Sequence, residues 1–299
     1  MVFATFFWAT NLIAGKLMNG YIPPITLCCL RWTIAIIILF PFVIKKLIFN
    51  IKIIKQNWLL LLILGLTGIA LNPTLTYVGL TYTTAMNCAL INTISPLFII
   101  LAALIFLKES ISTKKTIGLI FSLCGVVFII SHGNLFKILQ LSFNIGDLII
   151  ILAIIIWALY STALRFMPNN FDPLLLLFTT SIFAEIFLIP AALIEYHFGT
   201  TPVISPLSAS VLIYLAIFPA ILAFVAWNIG LKTIGNTTCG ILSYLITLFS
   251  SILAIFFLKE NLHIFHIVSF SLIIIGSLLT LEKKQSKTIT DQTLPAFTK

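Results

Sequence analysis

The polar residues that could do chemistry in this chain are few, and most lie inside long apolar runs. Glu185 is the only acidic residue near the middle of such a run, where an ionised carboxylate is costly unless it pairs, faces water or takes up a proton. We therefore expect Glu185 to be a proton site, a counter-ion for a cationic ligand, or a structural partner of Arg31. Arg31 lies nearer the end of its run, where a long side chain can reach a polar boundary, which favours a structural role over ligand binding.

An aromatic residue and a hydrogen-bonding partner occur together near the start of the chain and again halfway along it. Trp8 and Asn11 are three positions apart, on one face of a helix, and Trp157 and Tyr160 repeat this spacing. A ring beside an amide or a phenol suits an amphiphilic organic molecule. The alternative is that the tryptophans only anchor helices at a membrane interface, but both lie several residues inside their runs.

Two further apolar runs carry polar stripes on one helical face. The stripe in 84–107 consists of Cys88, Asn92 and Ser95, and the stripe in 237–258 consists of Gly240, Tyr244, Thr247 and Ser251. Pro96 also removes one helical hydrogen bond and leaves a carbonyl oxygen free near mid-run. Such stripes either line a cavity or hold helices together. The complete set of candidates for a ligand cavity is Trp8, Asn11, Tyr77, Asn92, Ser95, Pro96, Trp157, Tyr160, Asn228, Tyr244 and Thr247.

No residue pattern typical of an enzyme or a cofactor site occurs in the sequence. His263 and His266 are three positions apart, but no carboxylate or thiol completes a metal site. The chain lacks a glycine-rich phosphate loop with lysine, a serine in a Gly-x-Ser-x-Gly context and an HExxH motif. We therefore predict no catalytic residue, no metal and no cofactor.

Composition predicts a protein that spans a lipid bilayer. The chain is 61% hydrophobic and 8% charged, and a soluble domain of this length would expose apolar surface that aggregates. The apolar runs lack the period-two alternation of barrel strands, so we predict helices. The net charge of +9 lies in loops, which indicates a bilayer and not nucleic acid as the partner. The ten predicted spans are 2–19, 25–44, 58–79, 84–107, 115–131, 146–165, 173–195, 209–231, 237–258 and 263–281.

The chain contains an internal duplication. Residues 79–109 and 230–260 align without a gap at a spacing of 151 positions, and 10 of the 31 positions are identical. The matches include the paired Lys108-Glu109 and Lys259-Glu260, which apolar composition alone does not supply. We predict two repeats, over 1–131 and 146–281, followed by a polar cytoplasmic tail over 282–299.

The positions of lysine and arginine orient this arrangement. With the N-terminus in the cytoplasm, cytoplasmic loops and the tail hold 13 of these residues and the opposite side holds three, with Arg31 inside a span. This asymmetry predicts that both termini are cytoplasmic. Because five spans per repeat is an odd number, the second repeat must be inverted relative to the first, as in many secondary transporters.

The sequence resembles the EamA-type transporters of the drug/metabolite transporter superfamily over about residues 3–281. The motifs that carry the resemblance are, in order, Trp8-Ala-Thr-Asn11, Arg31, Leu80-x-Tyr-Thr-Thr84, Ser95-Pro96, Lys108-Glu109, Trp157-Ala-Leu-Tyr160 and Lys259-Glu260. The chain departs from the family in two ways. Thr247 replaces the proline that would kink the ninth span, and the few residues that usually precede the first span are missing, which suggests a clipped start.

The resemblance implies an all-α inner-membrane protein with ten transmembrane helices in two inverted five-helix repeats. It implies a secondary transporter that moves small metabolites, such as amino acids or related amphiphilic compounds, by alternating access. We expect an exporter, coupled to protons or working by exchange, with Glu185 as the coupling carboxylate. An uptake carrier for a bulky cationic metabolite such as S-adenosylmethionine fits the same sequence, and a membrane-embedded enzyme or a channel is the alternative from another class. A homodimer is left open.

Overall fold

The computed structural model of the chain describes residues 1–83, 88, 91–109, 111–131, 144–168, 171–198, 201–258 and 264–280. Within these ranges the regular elements are helices, and no strand occurs among them. This confirms the predicted all-α class. Several features named above lie outside the described residues, namely Thr84, Lys259-Glu260, His263 and the tail over 282–299.

The first half of the chain forms helices that follow the predicted spans. They are α1 (Val2–Leu17), α2 (Pro24–Phe49), α3 (Ile51–Gln56), α4 (Trp58–Tyr82), α5 (Ser95–Leu107) and α6 (Thr113–Ile130). Pro24 stands in the first turn of α2, where the missing N–H is not needed for a helical hydrogen bond. The six-residue α3 connects the second and third spans.

The second half repeats this order. Its helices are α7 (Ile145–Ala163), α8 (Pro173–His197), α9 (Pro206–Ile234), α10 (Asn236–Leu242), α11 (Leu245–Leu258) and α12 (Ile264–Thr280). The helices α10 and α11 together form the ninth span. Ser205 caps the start of α9, because its hydroxyl accepts a hydrogen bond from the Ser208 N–H at 3.1 Å.

Many of the helices have the length and composition that a bilayer requires. Within the described ranges, α2, α4, α7 extended to Phe166, α8 and α9 are long and apolar enough to cross a membrane, and α1, α5 and α12 are shorter apolar helices. Large apolar side chains on their outer faces, such as Ile37 and Leu101, are exposed and would contact lipid.

The third and eighth spans contain the same irregularity at equivalent positions. A π-helical turn occupies Gly65–Leu71 in α4 and Ala216–Leu222 in α9, which are 151 positions apart at both ends. A π-turn leaves a carbonyl oxygen outside the regular hydrogen-bond pattern. In α9 the Pro219 carbonyl oxygen accepts a hydrogen bond from Trp8 Nε1 at 3.2 Å. The irregular turn therefore fixes the orientation of a tryptophan from the other half.

The fourth and ninth spans are also interrupted, at positions that correspond to within one residue. A turn at 93–94 precedes α5, and a turn at 243–244 separates α10 from α11. The second break forms although Thr247 replaces the proline, so the missing proline does not leave the ninth span continuous. The Ser243 hydroxyl donates to the Gly240 carbonyl oxygen at 2.6 Å, which competes with the helical hydrogen-bond pattern at the break.

The fifth and tenth spans, α6 and α12, pack backbone against backbone. A Cβ atom on Gly118 would lie 2.6 Å from the Gly276 carbonyl oxygen, and one on Gly125 would lie 2.8 Å from the Ser269 carbonyl oxygen. Only glycine fits at these two positions of close approach. Small residues join helices in lipid in this way, so this pair links the two halves through van der Waals contact.

Two glutamates cap helices that belong to the opposite half. Glu195, near the end of α8, accepts hydrogen bonds from the Thr26 N–H and hydroxyl at the start of α2, both at 2.7 Å. Glu109, just after α5, accepts from the Thr237 hydroxyl at 2.9 Å at the start of α10. A carboxylate at a helix N-terminus satisfies free N–H groups and complements the helix dipole. Glu109, at the Lys-Glu end of the first repeat, thus ties the halves together.

Two aspartates make further contacts between the halves. Asp147 accepts hydrogen bonds from the Thr83 hydroxyl and, at 2.8 Å, from the Asn144 N–H. Asp172 caps α8 and lies 2.6 Å from the Lys46 ammonium. Partial burial raises the pKa of Asp172. The hydrogen bond from Lys46 and those from the capping N–H groups lower this pKa by more than burial raises it, so the pKa of Asp172 lies below its usual value.

An inverted repeat makes a direct prediction about sidedness. Thr113 and Ile264 are equivalent positions, 151 apart, at the exposed starts of α6 and α12. In a cysteine-free background, Thr113→Cys and Ile264→Cys should react with a membrane-impermeant maleimide from opposite sides, with Thr113→Cys on the cytoplasmic side. Labelling in intact cells and in inverted vesicles measures this. Reaction of both cysteines from the same side would contradict the inverted arrangement.

Candidate functional site

A cavity of about 130 Å³ lies between the two halves of the molecule. The first half contributes Trp8, Asn11, Leu12, Arg31, Asn72, Pro73, Thr76, Tyr77, Asn92 and Ser95. The second half contributes Ile154, Trp157, Phe224, Ser243, Tyr244, Ile246, Thr247 and Ser250. The breaks in the fourth and ninth spans border the cavity, so the irregular backbone lies where it can face a ligand and not lipid.

The structure brings most of the sequence candidates to this one cavity. Those that line it are Trp8, Asn11, Tyr77, Asn92, Ser95, Trp157, Tyr244 and Thr247. Three candidates do not line it, namely Pro96, Tyr160 and Asn228. Pro96 is buried in the first turn of α5, and its carbonyl oxygen faces α10, where a Cβ atom on Gly240 would lie 3.5 Å away.

Aromatic rings from both halves form one wall of the cavity. Trp8 and Trp157 meet edge to face with ring centroids 5.2 Å apart. Phe224 packs against both, at 5.8 Å from Trp8 and 5.6 Å from Trp157. Trp227 lies behind them, fully buried, at 5.2 Å and 5.3 Å from the same two rings. These contacts hold the rings rigidly, so the wall presents a fixed apolar surface.

Each half contains the same hydrogen bond with its two residue types exchanged. The Tyr77 hydroxyl donates to Asn11 Oδ1 at 2.8 Å, and the Tyr160 hydroxyl donates to Asn228 Oδ1 at 2.8 Å. Asn11 corresponds to Tyr160 at a spacing of 149, and Tyr77 corresponds to Asn228 at 151. The second pair is buried behind Trp157, which stacks on Tyr160 at 5.0 Å. Tyr160 and Asn228 therefore support the wall and do not line the cavity.

Arg31 lies in the cavity wall and not at a polar boundary. Its side chain is 2% exposed. Its Nη1 donates to the Tyr77 hydroxyl at 2.8 Å and to Asn11 Oδ1 at 3.3 Å, and its guanidinium lies 5.0 Å from the Trp32 ring centroid. The expectation that Arg31 reaches the membrane surface is therefore wrong. Helix α2 turns this residue inward, toward α1 and α4.

The alternative in which Glu185 pairs with Arg31 does not occur in the structure. The Glu185 carboxylate accepts hydrogen bonds from the Cys29 thiol at 3.2 Å and the Thr33 hydroxyl at 3.3 Å. Cys29 and Thr33 are each two positions from Arg31 on α2, which is about 200° of helical rotation. Arg31 and the residues that contact Glu185 thus point in opposite directions from the same helix.

Glu185 lies along a groove between α2 and α8 that is separate from the cavity. Its neighbours there are apolar apart from Thr33, and they include Ile36, Ile37 and Pro190. The side chain of Glu185 is itself buried. Because this carboxylate does not line the cavity, its geometry does not support the role of counter-ion for a cationic ligand bound there.

Several lining residues are missing from the sequence candidates. They are Leu12, Asn72, Pro73, Thr76, Ile154, Phe224, Ser243, Ile246 and Ser250. Thr76 lies one position before Tyr77, and Asn72 follows the π-turn of α4, where its amide donates to the Ala153 carbonyl oxygen at 2.9 Å. Asn72 directly precedes Pro73, and this pair within an apolar run was a sequence signal that could have marked Asn72 as a lining residue. Phe224 had none, because 26 phenylalanines are spread along the chain.

The described residues do not form a metal site. Among them, no three histidine, cysteine, aspartate or glutamate side chains come together in a group that could hold an ion. Four of the five cysteines are buried in helices as small packing residues. The chemistry that the cavity offers is therefore a rigid aromatic surface, amide and hydroxyl groups, and one guanidinium.

The helical fold and the cavity between two duplicated halves are consistent with a membrane transporter, and comparisons with known proteins support this class. Residues 1–131 and 144–282 match the EamA-like transporter family, so the chain belongs to this family. This confirms the resemblance inferred from the sequence motifs. The match covers the parts of both repeats that build the cavity.

Relatives along nearly the whole length are also transporters by name. The chain is 30% identical to the uncharacterized transporter YyaM of Bacillus subtilis, covering 92% of this chain and 90% of that protein. It is 29% identical to an uncharacterized transporter of Archaeoglobus fulgidus, covering 93% and 94%. A solved structure, described only as the crystal structure of a protein, matches with a TM-score of 0.74 at 21% identity over 93% of this chain and 94% of that chain, which shows a shared fold.

Proposed function

We propose that the protein carries a small organic metabolite across the membrane by exposing the cavity alternately to its two sides. The observation that carries this proposal is the lining of one central cavity by both halves of the duplicated chain. In inverted repeats, a rocking motion of one half against the other opens such a cavity to one side and closes it to the other. The paired turns in the third and eighth spans and the paired breaks in the fourth and ninth supply equivalent flexible points in both halves.

Contacts between the halves at the two ends of the molecule are the natural gates. At one end the Thr237 hydroxyl donates a hydrogen bond to Glu109, and Lys46 forms an ion pair with Asp172. At the other end Glu195 holds Thr26, and the Val203 N–H donates to the Tyr21 carbonyl oxygen at 2.7 Å. Each set consists of a few hydrogen bonds worth about 1 kcal/mol apiece, so one end can separate while the other stays closed.

The positive-inside distribution assigns the end with Lys46 to the cytoplasm. Export, which the family resemblance implies, is the direction that we propose. The rival reading, uptake of a bulky cationic metabolite, has less support, because the described lining contains the cation Arg31 and no carboxylate. A catalytic function has no support from the cavity, because no acid-base pair or nucleophile with an adjacent base lines it.

We propose Glu185 as the proton-coupling carboxylate and not as a substrate counter-ion. Its carboxylate is buried within a span and contacts a thiol and a hydroxyl but no cation. A change of charge at Glu185 would alter its contacts with Cys29 and Thr33 and so shift α2. Because Arg31 lies on the opposite face of α2 and lines the cavity, such a shift would reach the bound substrate.

If the cavity binds the substrate, replacing a tryptophan that lines it should reduce transport more than replacing a tryptophan that faces lipid. Trp157→Ala removes a ring from the cavity wall, and we expect transport to fall by at least roughly tenfold, the effect of about 1.4 kcal/mol. Trp58→Ala is the matched control, because Trp58 is exposed on the lipid-facing side of α4 and its loss should leave transport within about twofold of the wild type. The measurement is transport in proteoliposomes of a substrate identified from a metabolite screen, at equal protein incorporation. Equal losses in both variants would show that stability, and not the cavity, had been measured.

The proposed coupling makes a separate prediction about Glu185. Glu185→Gln mimics the protonated acid, so accumulation driven by a pH gradient should be lost while exchange without a gradient continues. Thr33→Val is the control, because it removes one hydrogen bond to the carboxylate and leaves the titrating group in place. Both modes are measured in the same proteoliposomes. Normal gradient-driven accumulation by Glu185→Gln would remove this residue from the coupling mechanism.

A further inference from the structure

The guanidinium of Arg31 makes hydrogen bonds through one nitrogen, Nη1, whereas its Nε and Nη2 edge has no acceptor among the described residues. Its Nη1 is occupied by Asn11 and Tyr77. Its Nε and Nη2 are buried and have no hydrogen-bond acceptor in the part of the chain that the structure describes. These two nitrogens present parallel N–H groups in one plane, the geometry that binds a carboxylate through two hydrogen bonds. The free edge belongs to a residue that lines the cavity.

No carboxylate of the described chain balances the charge of Arg31. The five acidic residues in the described ranges all contact other groups: Glu109 contacts Thr237, Asp147 contacts Thr83, Asp172 contacts Lys46, Glu185 contacts Cys29 and Thr33, and Glu195 contacts Thr26. A buried cation without a partner is costly in a membrane interior. A ligand that supplies the opposite charge would offset this cost.

The repeat shows that the fold itself does not require this arginine. Helices α2 and α8 align at a spacing of 149, which superposes their starting prolines and also Pro41 on Pro190. At this spacing Arg31 corresponds to Thr180. The equivalent tyrosine-asparagine hydrogen bond nevertheless forms in the second half, between Tyr160 and Asn228, without a cation. Arg31 is therefore not needed to hold such a pair in place.

The remainder of the cavity sets the shape of the ligand. Trp8, Trp157 and Phe224 provide an apolar wall beside the guanidinium. The cavity volume of about 130 Å³ is close to the roughly 150 Å³ of an apolar cavity that holds one benzene ring. A ligand with one ring or a short branched chain would fill it.

We propose that the cavity recognises a small amphiphilic organic acid, whose carboxylate binds the Nε and Nη2 edge of Arg31 and whose apolar body packs on Trp8, Trp157 and Phe224. This substrate class rests on the proposed transport function and narrows it. The site selects anions over cations, because the guanidinium repels an ammonium group at the same position. It also selects a planar carboxylate over a neutral amide, because only the anion compensates the buried charge.

Binding of four matched probes to the full-length protein in lipid nanodiscs tests this assignment. The probes are 3-phenylpropionate, its amide, 3-phenylpropylamine and 2-phenylethyl phosphate, and quenching of tryptophan fluorescence at pH 7 reports binding near Trp8 and Trp157. We expect the carboxylate to bind roughly 10- to 100-fold more tightly than the amide, the effect of hydrogen bonds to a charged group. The amine should bind more weakly than the amide.

Variants then connect this preference to Arg31. Arg31→Gln should bind the carboxylate and the amide about equally, and Arg31→Lys should keep a reduced preference because lysine retains the charge without the two-pronged edge. Lys16→Gln is the matched control. Its ammonium contacts the Leu80 and Thr83 carbonyl oxygens outside the cavity, so the preference for the carboxylate should remain. Elution from a sizing column and the melting temperature establish that each variant is folded.

Several outcomes would overturn the assignment. They are equal or tighter binding of the amide or the amine to the wild type, tighter binding of the phosphate, no binding of any probe, or unchanged carboxylate selectivity in a folded Arg31→Gln. The wild-type comparison alone decides the matter if the Arg31 variants do not fold. Failure of the transport proposal looks different, because the carboxylate would then bind in nanodiscs but not move across proteoliposome membranes.

Discussion

The structure depends on one constraint: in the bilayer the backbone polar groups must find their partners inside the protein. Helices meet this requirement along most of each span. The π-turns in α4 and α9 and the breaks at 93–94 and 243–244 depart from it, and residues at or next to the two breaks line the cavity. The Pro219 carbonyl oxygen shows the consequence, since the indole N–H of Trp8 satisfies it across the boundary between the halves. Irregular backbone thus both builds the cavity and joins its two sides.

Because the chain is duplicated, features that occur in both halves belong to the shared architecture, and features that occur in one half alone point to function. The tyrosine-asparagine hydrogen bond, the π-turn and the span break all occur twice, so they belong to the shared architecture. Arg31 and Glu185 occur once each, opposite Thr180 and Ile36 in the aligned helices. Both lie on the same pair of spans, one facing the cavity and the other facing a groove toward lipid. We infer that specificity and coupling were added to a symmetric framework at these two positions.

The sequence was sufficient for the class, the repeat and eight of the residues that line the cavity, because these depend on apolar length, internal matches and helical periodicity. Trp8, Asn11 and Trp157 were found in this way. Periodicity could not show that Tyr160 lies behind Trp157, since both share one helical face and only the neighbouring helices decide which is in front. The rotation of α2 about its own axis was also beyond the sequence, which is why a pairing of Arg31 with Glu185 stayed among the alternatives.

Accessibility of a single cavity position from both sides of the membrane tests alternating access most directly. In a cysteine-free protein in proteoliposomes, Ser95→Cys should react with an impermeant maleimide applied from either side, whereas the lipid-facing control Leu101→Cys should react from neither. A disulfide between Glu109→Cys and Thr237→Cys should hold that end closed and stop the reaction of Ser95→Cys from that end alone. The cysteine at position 95 lies within the cavity while the disulfide is formed, so it does not take part in the cross-link. Reaction from one side only in the absence of the disulfide, or reaction from both sides after the disulfide has formed, would contradict a cavity that opens to each side in turn.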